Sequence, residues 1–166
     1  MPRDLRMSRI LHVLIHLDRH VPRATSEEIS KMISTNPVVV RRMMSGLRER
    51  GIVSSEKGHG GGWQLTRPLA QVTLRDVYEA VGAPPLFNIG PGAEASACLV
   101  EAAVDARIDA SLREAEARLL AQFSQISVED LARDFERDAA DRHGHGPECS
   151  QGIIDPVGDV RNHRDA

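Results

Sequence analysis

A chain of 166 residues with a formal net charge of −3 fits one domain, or a small domain carrying a long helical attachment. Its aromatic residues are three Phe, one Trp and one Tyr, so the core must rest on Leu, Ile, Val, Met and Ala, which suits packed helices. Two cysteines, Cys98 and Cys149, are too few for a disulfide scaffold. No charged start runs into a long apolar stretch, so neither a signal peptide nor a membrane span is expected, and a cytoplasmic setting is.

The charge is unevenly spread. Residues 1–80 carry 13 Lys+Arg against 8 Asp+Glu (+5), and residues 81–166 carry 8 against 16 (−8). A basic head on an acidic body fits a nucleic-acid-binding module with a separate assembly region, although charge alone fits chance segregation equally well.

Leu5, Ile10, Leu11, Leu14, Ile15 and Leu17 recur at helical spacing, predicting a first helix over about residues 4–20. Val21-Pro22-Arg23 breaks it. Thr25 or Ser26 can cap a second helix, with Glu27 and Glu28 suiting its positive end, and that helix runs to about Ile33. Ser34-Thr35-Asn36 is a short polar turn, and Pro37 is a favoured first residue for a third helix that stops at Gly51.

The period then changes. Residues 51–56 read as a short strand, Gly58-His59-Gly60-Gly61-Gly62 as a turn, and residues 63–66 as the returning strand of a hairpin. Thr73 caps a short helix over residues 74–81. The expected organisation is a winged helix-turn-helix over residues 1–82, a linker over 83–93, helices for dimerisation over 94–138 and a disordered tail over 139–166. Within the third segment, one long amphipathic helix spans residues 94–123 and a short one residues 128–135. The fold class is thus mainly α with a small β-hairpin wing.

Helix, short turn, helix and a glycine-tipped hairpin place one helix in the major groove and the wing on the backbone or minor groove. On the third helix, Val40, Met43, Met44 and Leu47 can face inward, leaving Val38, Arg41, Arg42, Ser45 and Arg48 mainly on the open side. One of the adjacent arginines can reach a guanine edge while the other grips phosphate. On an isolated helix both would read as solvated charges; the wing that follows favours DNA.

The stretch Thr35-Asn36-Pro37-Val38-Val39-Val40-Arg41-Arg42, with Leu47-Arg48, Gly51-Ile52-Val53 and Lys57 to Leu65, resembles the Rrf-two family of bacterial winged-helix regulators. Residues 74–81 are similar to the helix that follows the wing in that family. The resemblance covers about residues 5–135 and is specific over 35–82. It implies a homodimer built on the long helix, binding a pseudo-palindromic operator as a regulator, with repression the expected mode. Candidate DNA contacts are then Ser26 and Asn36 at the starts of two helices, Val38, Arg41, Arg42, Ser45 and Arg48 on the recognition helix, and His59, Gly60 and Gly61 at the wing tip. Trp63 is expected to anchor the wing to the body.

Cluster-binding members of that family hold an iron–sulfur cluster with three closely spaced cysteines between the wing helix and the long helix. Here Cys98 alone lies in that region, so no iron–sulfur cofactor is expected. Cys98 reads either as a redox-sensing thiol, activated near the start of the long helix, or as a small buried apolar residue. His143, His145 and Cys149 match no standard metal spacing. His12, His16 and His20 form a stripe on the first helix that suits a solvated or partner-facing surface better than a metal site.

An enzyme is not expected: Gly60-Gly61-Gly62 sits at a hairpin tip and opens no helix, and no nucleophile–base or zinc pattern appears. Two alternatives to a thiol-responsive regulator stay open. One is a small-molecule-responsive regulator with a structural Cys98, and the other is a winged helix used for protein contacts without its own operator.

Overall fold

The computed structural model describes residues 4–56, 58, 60–89 and 98–142, with side chains through Asp138. His59 at the wing tip, the expected helix start at Glu94, and the tail with His143, His145 and Cys149 lie outside the described residues.

Helix α1 (Arg6–Arg19) buries Ile10, Val13, Leu14 and Leu17 along one face. Each such side chain contributes roughly 1.5–3 kcal/mol when withdrawn from water. Helix α2 (Ser26–Met32) starts from Thr25, whose hydroxyl accepts the Glu28 amide while the Glu28 carboxylate accepts the Thr25 amide. This reciprocal box satisfies two otherwise orphaned N–H groups. Helix α3 (Pro37–Glu49) starts from Asn36, whose Oδ1 accepts the Val38 amide at 2.7 Å. It ends at Gly51, whose φ of +64° lets the Gly51 amide reach the Arg48 carbonyl and the Ile52 amide reach the Leu47 carbonyl.

Strands β1 (Val53–Glu56) and β2 (Gly62–Leu65) pair antiparallel, Val53 opposite Leu65 and Glu56 opposite Gly62. Ala24 pairs with Trp63 on the far side of β2 and so ties the hairpin to the segment before α2. A 3₁₀ turn (Leu69–Gln71) leads into α4 (Leu74–Ala80), capped by a second reciprocal box between Thr73 and Asp76. The apolar faces of α1–α4 and the hairpin meet in one core, closed from below by Val128.

Helix α5 (Leu99–Phe123) runs 25 residues without burying one. Its far end meets α4, where the Phe123 ring lies 6.3 Å from that of Tyr78. The chain then returns: the Leu74 amide donates to the Ile126 carbonyl and the Val128 amide to the Val72 carbonyl, and α6 (Val128–Arg142) packs back onto α1. Arg19 joins the two helices by donating to Glu129 and Glu136. The sequence predicts that last helix to end near Phe135, but it continues to Arg142. No glycine or proline interrupts it before Gly144, and the Glu129–Arg133 and Asp134–Arg137 pairs lie along it. Among the described residues no helix is long and apolar enough to cross a membrane.

Candidate nucleic-acid interface

Inside α3, Val40, Met43, Met44 and Leu47 are buried, which turns the opposite face outward. Val38 is 65% exposed, and Val39, Arg41, Arg42 and Arg48 are exposed beside it. Ser45 is half-buried and its hydroxyl accepts a long hydrogen bond from Arg48, at 3.4 Å. The adjacent valines form an apolar spot of the kind that meets thymine methyl groups. Arg41 donates to Glu27 of α2 at 2.7 Å, whereas Arg42 makes no ion pair among the described residues.

Two of the sequence-predicted residues have other partners. Asn36 spends its side-chain oxygen on capping α3. Ser26 is 8% exposed and its hydroxyl accepts the Trp63 indole N–H at 3.0 Å, beneath the wing and off the exposed face. Trp63 itself is buried, and it anchors the hairpin as the sequence leads one to expect.

The wing turn is shaped by backbone constraints. Gly60 has a φ of +78°, a conformation that costs little without a Cβ. At Gly61 a Cβ would lie 2.4 Å from the Glu56 carbonyl oxygen, and at Gly62 it would lie 2.8 Å from that of Ala24. Arg23, which in the sequence reads only as part of a helix break, braces this turn from outside. Its guanidinium donates to Glu56 at 2.6 Å, to the Gly60 carbonyl at 3.2 Å and to Gln64 at 2.6 Å. These partners lie 33 to 41 residues downstream, so no local spacing marks them.

Cys98 is the residue immediately before α5 and is exposed. Backbone hydrogen bonds from Glu101 and Val100 hold its thiol below the usual cysteine value. The buried alternative for Cys98 does not describe the single chain. Along α1 and its C-terminal cap the His12, His16 and His20 rings lie next to one another, edge-on and tilted, with centroids 4.6 and 5.1 Å apart.

A helix with an outward face of arginines and valines, joined by a capped turn to a second helix and followed by a braced hairpin, defines a winged helix-turn-helix DNA-binding protein. Residues 4–134 match the Rrf2 family, described as iron-dependent transcriptional regulators, and the chain belongs to that family. The family is one of transcriptional regulators, and a winged helix-turn-helix is the DNA-binding module such regulators use.

Over 77 residues the chain is 40% identical to YwgB of Bacillus subtilis (strain 168), named an HTH-type transcriptional regulator, covering 45% of this chain and 49% of YwgB. Over 78 residues it is 38% identical to YwnA of the same organism, likewise named, covering 46% of this chain and 56% of YwnA. The chain thus spans about half the length of the curated relatives it matches. The crystal structure of a transcriptional regulator from Lactobacillus plantarum superposes with a TM-score of 0.69 at 25% identity, over 84% of this chain and 95% of that one.

Proposed function

We propose that this regulator acts as a homodimeric repressor, reading a pseudo-palindromic operator with one α3 helix per half-site. The observation that carries the reading is the outward face of α3, where Val38, Arg41, Arg42 and Arg48 are exposed beside the wing. Apolar contacts and bidentate arginines read base edges, while further cations and the wing hold the backbone. Dimerisation is supported by α5, whose Leu99 and Val100 are 88% and 72% exposed, followed by exposed Val104 and Ile108. A compact dimer seated on a promoter represses by excluding polymerase.

Cys98 supports a second element, thiol control of DNA binding. Its exposure and its lowered pKa favour the reactive thiolate at the start of the helix assigned to dimerisation. The family description names iron, but the donor set of this chain fits an iron–sulfur cluster poorly. The chain holds two cysteines in all, and the described residues contain no group of three or more His, Cys, Asp or Glu placed to hold a metal. A cofactor-free regulator is therefore the reading we adopt.

The test is a footprint on the DNA upstream of the protein's own gene, with reduced and diamide-oxidised protein compared. Protection of a palindrome that vanishes on oxidation, and persists in Cys98→Ser, supports operator binding and the thiol switch together. Protection indifferent to oxidation retains the operator and replaces the thiol by a small-molecule effector. Sequence-blind binding on this and on random DNA would favour the protein-contact alternative.

A further inference from the structure

The geometry points to Glu27 as a specificity-determining residue: its carboxylate neutralises Arg41, so that Arg41 favours DNA presenting a guanine edge over DNA in general. The inference rests on α3 being the recognition helix.

Glu27 and Glu28 both stand in the first turn of α2, but they do different things. Glu28 closes the reciprocal box with Thr25, so the cap of α2 is complete without Glu27. Glu27 reaches across the helix-turn-helix to Arg41, Oε1 to Nη2 at 2.7 Å. Both side chains are 58% exposed. An ion pair this open contributes little to stability. Its consequence lies in what Arg41 has left to offer a duplex.

An unpaired arginine on a DNA-facing helix is attracted to any phosphate. That attraction releases counterions on every sequence alike and adds no discrimination. Arg42, next in the chain and without an ion pair among the described residues, is a cation of this kind. For Arg41, moving to a phosphate means giving up one anion for another. A guanine makes a different demand. Glu27 takes one of the five guanidinium N–H donors, leaving others to meet O6 and N7 without breaking the pair. The carboxylate also opposes close approach of phosphate where no base contact compensates. It therefore weakens binding to random sequence more than binding to the operator, and specificity is the difference between the two.

The probes are a duplex enriched from a random-sequence pool by the wild-type full chain, and a shuffled duplex of equal composition. Affinities and salt dependence are measured for wild type, Glu27→Gln and Arg41→Ala, with circular dichroism melts as the folding control. Glu27→Gln, which keeps the acceptor and removes the charge, should bind the shuffled duplex about 3–10-fold more tightly. The salt slope on that duplex should steepen by about 0.9, as expected for one added phosphate contact. The enriched duplex should change less than about twofold, so the ratio of the two affinities falls. Equal changes on both duplexes, or none, would overturn the role of Glu27, while a lowered ratio in Arg41→Ala would leave α3 as the reading helix. If Arg41→Ala leaves the ratio unchanged, or no duplex is enriched, the inference fails together with the reading it rests on.

Discussion

The indole N–H of Trp63 donates to the hydroxyl of Ser26 at 3.0 Å, joining the second strand of the wing to the first residue of α2. Both groups are buried, so neither has water as a ready substitute. Removing the acceptor in Ser26→Ala strands the indole N–H and should cost about 1–3 kcal/mol. Urea denaturation checks this. A loss below about 0.5 kcal/mol would mean that another acceptor takes over.

Gly46 lies on α3 where that helix crosses the end of α4. A Cβ there would stand 2.0 Å from the Ala80 carbonyl oxygen, and backbone cannot swing aside as a side chain does. In an open helix, glycine to alanine stabilises by about 1 kcal/mol. Here the sign should reverse, with Gly46→Ala destabilising by about 1–3 kcal/mol because the two helices are forced apart. A raised melting temperature for Gly46→Ala would refute the close crossing.

The starts and stops of the first four helices were legible because they are written locally, whereas the end of α6 was not. Thr25 (one of two caps the sequence allows), Pro37, Gly51 and Thr73 each act within a few residues and stand at helix ends as the pattern places them. Asn36, expected to meet DNA, is the cap of α3. The inward face of α3 followed from its period. Apart from the anchoring of the wing by Trp63, contacts between distant segments were not legible. Gly46 looks like an ordinary weak point in a helix until Ala80 arrives against it, and Ser26 looks like an exposed helix start until Trp63 covers it. The Glu27–Arg41 pair spans the turn of the motif, so no single-helix spacing of i to i+4 reveals it.

The histidines of α1, His12 and His16, should make stability depend on pH. Burial lowers the pKa of His16 first, and the neighbouring His12 and His20 lower it further; burial also lowers that of His12. Protonation is thus disfavoured in the folded chain. As pH falls through the ordinary histidine value of 6.5, the unfolded chain takes up protons first, so stability declines there and levels off below the folded values. The urea midpoint should be lower at pH 5.5 than at 7.5, a window in which carboxylates stay ionised. The double variant His12→Gln/His16→Gln should lose most of that difference. An unchanged slope in the double variant would assign it to other groups.

Cys98 should react as a thiolate at a lower pH than an unperturbed cysteine, because the Glu101 and Val100 amides stabilise its anion. In a Cys149→Ser background, the rate of iodoacetamide alkylation against pH should reach half its plateau below the ordinary value of 9.0. A midpoint at or above that value would remove the electrostatic support for thiol control.

Arg23 holds the wing by geometry rather than by charge. One planar guanidinium serves Glu56, the Gly60 carbonyl and Gln64 at once, and a lysine ammonium cannot reproduce that fork. Arg23→Lys keeps the charge and should still loosen the wing. Hydrogen exchange of the peptide spanning residues 56–64 should accelerate in Arg23→Lys nearly as much as in Arg23→Ala. The melting temperature should move little, since the Arg23–Glu56 pair sits at the surface with Arg23 only half-buried and Glu56 exposed, where removing such a pair costs about 1 kcal/mol or less. If Arg23→Lys instead exchanges like the wild type, the brace is electrostatic, and the three-way hydrogen bonding is not what holds the hairpin in place.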